Sequence, residues 1–197
     1  HSIYKSKQDG TVANLPMVDA MLSSPNRSIG ELWTEMVSYP HIVDEDTGEC
    51  SHHPLAAAAG QDMIDREERE AGSVLSSVKS YLVLYRDPVV AAAISKSEFK
   101  IKDLMNADKP VSLYIITKPT DKDRLKPIVR IMLNMIIRLL ADEITFENGR
   151  PKAHYNYKLL GMIDEFPSLG KLDILQESLA FVAGYGIKFY LICQDLN

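Results

Sequence analysis

The sequence predicts a mixed α/β protein, with an all-helical first half followed by a parallel sheet. Three observations lead there. No stretch of residues 12–96 alternates apolar and polar side chains as a half-buried strand does. Three short apolar runs, VSLYIIT (111–117), KLLGMID (158–164) and IKFYLIC (187–193), stand in the second half and read as buried parallel strands. Helical stretches separate them, and strand–helix–strand–helix–strand order calls for parallel strands joined by right-handed crossovers.

Each element has a local reason. Residues 14–24 form a short helix stopped by Pro25. Ser28 with Glu31 three residues on is a capping box, so a helix begins near Ile29 and ends before Pro40. Ile29, Leu32, Trp33, Met36 and Val37 share one face of it and point to a core. Residues 40–52 read as a loop. A helix follows from Pro54 to Arg69, another from near Ser73 through Tyr85, and Asp87-Pro88 opens a short apolar segment. In the second half, Lys118-Pro119 ends the first strand and Asp121 caps a long helix running to about Glu143. Apolar residues from Leu125 to Leu140 nearly encircle that helix, which is expected to be buried between the sheet and another element. Glu147 to Pro151 is a turn, and residues 172–183 form an amphipathic helix.

Composition narrows the function. The chain has 197 residues, 22 basic and 27 acidic, for a formal net charge of −5, and is 46% hydrophobic. That describes a folded protein, not a disordered one. No apolar run reaches the ~18 residues of a membrane span, and no signal-peptide pattern opens the sequence. Two cysteines, Cys50 and Cys193, exclude a disulfide framework and favour a reducing compartment. Residues 12–96 hold 6 basic and 13 acidic side chains, against 14 and 13 in residues 97–197. The acidic half suits a solvated helical face or a protein-docking surface, not a coat for nucleic acid.

The chemistry lies at strand ends. LLGMID followed by Glu165 is the Walker B pattern, a buried strand whose carboxyl end delivers Asp164 and Glu165 to the crevice where α/β sheets bind ligands. An Asp there can hold Mg²⁺, usually through water, and the adjacent Glu can orient or activate an attacking water. The same pair is also common as a plain helix cap. Gln194 ends the next strand, where a neutral amide could sense a γ-phosphate. A phosphate-cradling GxxxxGK[ST] is absent, because the one Gly-Lys pair, Gly170-Lys171, is followed by Leu172. The chain is therefore either a piece whose phosphate loop lies upstream of His1, or not an ATPase. Cys50, His52 and His53 lie together, but no second ligand pair stands at zinc spacing. Trp33 and Tyr39 could stack bases, although Trp33 lies on the apolar helix face. Lys118, Lys122, Arg124 and Lys126 form a basic run that could track a DNA backbone or simply begin a solvated helix.

Three stretches resemble the TraG-like coupling proteins of bacterial conjugation and type IV secretion: SVLSSVKSYLVLYRDPVVAAAISKSEFKIKDLM, KPVSLYIITKPTDKDRLKPIVRIMLNMIIRLL and LLGMIDEFPSLGKLDILQESLAFVAGYGIKFYLICQDLN. The resemblance runs from about residue 11 to the last. It implies a RecA-like P-loop NTPase sheet, partial here, with an all-α domain inserted between Walker A and Walker B. Residues 1–11 would then end an upstream nucleotide-binding segment, residues 12–96 would be the inserted domain, and residues 97–197 the truncated Walker B half. Carried over, Glu165 and Gln194 are catalytic, and Asp164 binds the nucleotide through Mg²⁺ and water. The resemblance further implies ATP and Mg²⁺ as cofactors of the intact protein, with neither expected on this piece alone. Its partners would be DNA, relaxase and relaxosome proteins and the secretion channel. The intact protein would be a homo-hexamer held at the cytoplasmic face of the bacterial inner membrane by a segment outside this sequence. Some relatives carry an arginine finger before the strand that ends in the Gln. Here that stretch is Ala183-Gly184-Tyr185-Gly186, which leaves Arg124 and Arg130 as alternatives. A docking module for relaxase or substrate, with no ATPase activity of its own, is the alternative reading.

Overall fold

A computed structural model describes residues 1–44, 46–141, 145–147, 150–152, 155–179 and 182–193. The chain divides into two compact units, His1–Ser97 and Glu98–Asn197.

The first unit holds helices α1 (Ser2–Gln8), α2 (Leu15–Leu22), α3 (Ile29–Ser38), α4 (Pro54–Asp65), α5 (Glu68–Leu82) and α6 (Pro88–Ala93), with a 3₁₀ turn at Val83–Arg86. Asn14 caps α2 by accepting from the Met17 N–H, and Asp87 caps α6 by accepting from Val89 and Val90. The capping box of α3 forms as expected, with Ser28 Oγ accepting from Glu31 N–H and Glu31 accepting from Ser28 N–H. Two expectations need correction. The loop over residues 40–52 contains a two-residue antiparallel ladder, β1 (Ile42–Val43) with β2 (Cys50–Ser51), so this half is not purely helical. Helix α5 starts at Glu68, not near Ser73, because the chain breaks at Arg66, whose ψ of 148° ends α4.

Two charged nodes fasten the unit. Arg86 donates twice to the buried Asp19 carboxylate, Nε at 2.8 Å and Nη2 at 2.9 Å, tying the 3₁₀ turn to α2. Glu35 of α3 accepts from both Lys5 of α1 and Arg27 of the α2–α3 loop. Burial alone would raise the Glu35 pKa, but its bonds and charges with Lys5 and Arg27 outweigh that and hold it low. Beside this node sits a ring cluster of Tyr4, Tyr39, His1, His41 and His53. The His53 main-chain N–H donates to His41 Nδ1 at 3.1 Å, so that nitrogen carries no proton. Neutral His41 then bears its proton on Nε2 and donates to His1 Nδ1 at 3.1 Å.

The second unit carries α7 (Asp103–Asn106), α8 (Lys122–Leu140) and α9 (Asp173–Ser178). Its strands are β3 (Thr145–Glu147), β4 (Arg150–Lys152), β5 (Leu159–Ile163) and β6 (Ile187–Leu191). Strands β5 and β6 are parallel and in register from Leu159↔Ile187 to Ile163↔Leu191, whereas β3 and β4 form an antiparallel hairpin. The core gathers Met105, Ile137, Ile163, Leu172, Leu175, Val182 and Ile187. Gly161 sits opposite the Phe189 ring, where an added Cβ would come within 2.7 Å.

Three expectations fail here. Among the described residues Val111–Thr117 joins no ladder, and it is largely exposed, with Tyr114 at 80% and Ile116 at 87%. Its β-branched composition describes a strand only when neighbours pair with it on both sides. The parallel sheet therefore has two described strands instead of three. Helix α8 buries Ile136 and Ile137 but leaves Ile131, Met135 and Leu139 exposed, so its apolar girdle is covered on one side only. Helix α9 is also shorter than the expected 172–183 and gives way to a 3₁₀ turn at Val182–Tyr185.

Two outcomes follow. A Cβ added at Gly60 would meet the Trp33 carbonyl oxygen at 2.8 Å and Met36 Cβ at 3.0 Å, both on α3. Gly60→Ala should therefore cost about 1–3 kcal/mol in urea unfolding. Burial pushes the His41 pKa down, and the neighbouring His53 and His52 add to it. A histidine depressed in the folded state contributes stability above its ordinary pKa of about 6.5 and loses it as pH falls through the folded value. The unfolding temperature should thus drop on acidification from pH 7 to about 5.5, before Glu35 begins to protonate, and His41→Asn should flatten that step.

Candidate functional site

The site forms where β5 runs out. The ladder ends on a bond from Ile192, one residue past β6, whose N–H donates at 2.9 Å to the carbonyl of Ile163, the last residue of β5. Phe166 N–H then donates to the Ile192 carbonyl, also at 2.9 Å. Between these two bonds the chain must reverse within Asp164-Glu165. Glu165 takes up the turn with φ 55° and ψ 53°, the only left-handed residue other than glycine among the described residues. Such a conformation costs about 1–2 kcal/mol for an L-residue and persists only where its surroundings impose it.

A compact turn imposes it. Ser168 donates to the Glu165 carbonyl twice, from Oγ at 2.7 Å and from N–H at 3.0 Å. The turn closes at Gly170, whose φ of 68° suits glycine. Arg130, from the middle of α8, donates Nη1 to the Leu169 carbonyl at 2.7 Å. Lys126, one helical turn earlier, brings Nζ to 3.5 Å from the Cβ position of Gly170. Two cations thus back the turn that holds Glu165.

The carboxylates themselves are uncommitted. Asp164 is exposed and Glu165 half-buried, and neither has an ion pair or side-chain hydrogen bond among the described residues. Adjacent free carboxylates at a parallel strand's carboxyl end offer hard oxygen ligands to a divalent cation and an acceptor for a water proton. The donor set fits a Mg²⁺ held through water. The sequence holds no GxxxxGK[ST] loop to complete this site, since Gly170-Lys171 belongs to the turn behind Glu165 and Lys171 pairs with Asp173 at 2.9 Å.

The remaining predicted residues divide clearly. Gln194 lies outside the described residues. Arg124 is held by Asp121, at 3.1 Å from Nη2 and 3.2 Å from Nε, and Arg130 is spent on the Leu169 carbonyl, so both act within the unit. Of the basic run, Lys118 is exposed while Lys126 is turned toward the 166–170 loop. Cys50 is exposed, and among the described residues no three His, Cys, Asp or Glu side chains gather as a metal site. Sequence reasoning missed Ser168, Lys126 and Arg130 as supports of the turn. The four-residue spacing of Lys126 and Arg130, which places them on one helix face, was the available signal.

Comparison with known proteins finds relatives in conjugal DNA transfer. The family model described as Type IV secretory system Conjugative DNA transfer matches residues 1–197. A relative from Escherichia coli, "Conjugal transfer protein TraG", is 64% identical over the whole chain, which spans 30% of that relative. "Protein VirD4" of Rhizobium rhizogenes is 27% identical over 81% of the chain and 22% of its own length. "Protein VirD4" of Rhizobium radiobacter is 31% identical over 59% of the chain and 16% of its own length. No described helix is long and apolar enough to cross a membrane. With a family match that leaves no residue out, the chain belongs to the type IV secretory system conjugative DNA transfer family.

Proposed function

We propose that the chain is the Walker B half of a coupling ATPase, together with its inserted helical domain, in a protein that moves DNA into a type IV secretion channel. The observation that carries this reading is the Asp164-Glu165 pair at the carboxyl end of β5, with Glu165 left-handed and both carboxylates without a partner among the described residues, in a chain of this family. The longer protein would complete a RecA-like sheet around β5 and β6 and supply the phosphate loop. It would assemble as a hexamer at the inner membrane and receive DNA with its relaxase.

Bound Mg·ATP would supply the phosphoryl group whose transfer to water drives the motor. Asp164 would hold the metal through its water shell, and Glu165 would accept a proton from the attacking water. Gln194, after β6 in sequence, would respond to the γ-phosphate. Arg130 and Ser168 act by keeping the Glu165 main chain in place, so they are positioning residues.

A second reading rests on charge. Residues 1–97 hold 14 acidic and 8 basic side chains, which favours a protein partner over bare phosphate backbone on most of that surface. In this reading the chain docks relaxase or substrate without its own ATPase activity. A steep fall of DNA affinity with salt would count against it.

The full-length protein carrying its upstream phosphate loop provides the test. Glu165→Gln should lower kcat by about 10²–10⁴-fold while nucleotide still binds. Equal turnover in the variant and the parent would remove Glu165 from the chemistry. Arg130→Ala should reduce kcat through a loosened turn, with little change in KM, and Arg130→Lys should recover part of it by restoring a cation near the Leu169 carbonyl.

A further inference from the structure

The first unit contains a cleft that the proposed ATPase leaves unused. It lies between the end of α2, the loop leading into α3, the last turn of α5 and the 3₁₀ turn, with a volume of about 380 Å³. That is near the low end of the ~300–1,000 Å³ typical of small-ligand sites. Its polar lining consists of Ser23, Ser24, Arg27, Ser28, Lys79 and Arg86. No acidic side chain lines it, although acidic residues outnumber basic ones 14 to 8 in residues 1–97.

Hydrogen-bond accounting defines what the cleft lacks. Each serine hydroxyl already accepts a bond: Ser23 from Arg86 Nη2 at 3.2 Å, Ser24 from Asn26 N–H at 3.3 Å, and Ser28 from Glu31 N–H at 3.2 Å. Their O–H groups remain to donate. Arg86 spends Nε and Nη2 on Asp19 and Ser23, leaving Nη1 without a partner among the described residues. Lys79 is half-buried, and its ammonium has no partner among the described residues. The cleft therefore presents donors from several directions and, among the described residues, no carboxylate. Both guanidiniums already hold a carboxylate, Arg27 that of Glu35 and Arg86 that of Asp19. What remains is a point-charge ammonium with hydroxyls around it, an arrangement matched by a tetrahedral oxyanion more than by a planar carboxylate.

We propose that this cleft binds a phosphate group, with Lys79 as its principal charge. The source is either free phosphate or the phosphodiester of a DNA strand, and the chemistry of recognition is the same. The site is separate from Asp164-Glu165 and stands whether or not the ATPase reading does.

The test is amide NMR of this 197-residue chain at constant ionic strength. Inorganic phosphate is one probe, and a thymidine octamer without terminal phosphates is the other. Phosphate should shift the amides of Ser23, Ser24 and Lys79 saturably, and Lys79→Gln should weaken that response by about tenfold or more. Lys171→Gln, at an exposed lysine of the other unit, should leave it unchanged. Octamer shifts at the same residues, competed by phosphate, would identify a DNA phosphodiester as the source, whereas a response to phosphate alone would identify a free phosphate group. The proposal is overturned if neither probe moves these amides, if chloride at equal ionic strength moves them equally, or if Lys79→Gln responds as the parent does.

Discussion

The candidate site depends on the bond from the Ile192 N–H, one residue beyond β6, to the Ile163 carbonyl at the end of β5. Parallel strands end in a row of main-chain groups that need partners, and the Ile163 carbonyl takes its donor from the Ile192 N–H. Because Phe166 N–H also returns to the Ile192 carbonyl, only two residues remain to reverse the chain. Asp164 and Glu165 form that turn, and Glu165 takes the left-handed conformation. Two bonds from Ser168 and one from Arg130 to the Leu169 carbonyl make that conformation the one that satisfies the local main chain. The same geometry that costs strain presents two adjacent carboxylates to solvent, which is what binding a hydrated cation requires.

The helical unit is organised by a different constraint. It is rich in acid, and its few cations are placed where they fasten elements together. Asp19 is buried, and its desolvation is offset by the twin bond from Arg86. Glu35 gathers Lys5 and Arg27. Helices α3 and α4 approach closely because Gly60 has no side chain to hold them apart at Trp33. Beside these contacts the edge-on histidine and tyrosine rings surround one proton arrangement, set by the His53 main-chain N–H.

Legibility followed the range of the interaction that forms each element. The start of α3 could be read because Ser28 and Glu31 are three residues apart and satisfy one another. The starts of α2 and α6 were nearly as clear, at Asn14 and Asp87. The hairpin of β1 and β2 was missed because each strand has two residues, too few for a periodic pattern. Val111–Thr117 misled in the opposite direction. Its residues are those of a buried strand, but strand pairing is decided by neighbours that its own sequence does not contain. For the same reason α8 reads as wholly buried, while the structure covers only the side bearing Ile136 and Ile137.

At the candidate site the sequence determined the two carboxylates, their place after an apolar strand, and the parallel sense of that strand with the one ending near Leu191. These follow from residue order, which carries periodicity and strand–helix alternation directly. Tertiary structure alone decided the left-handed turn at Glu165, the use of Arg130 on the Leu169 carbonyl 39 residues away, and the gathering of Ser23, Lys79 and Arg86 around one cleft. Each of these joins groups distant along the chain or sets a dihedral through such a contact. No local pattern of side chains encodes them, because their energies arise only once the elements have packed.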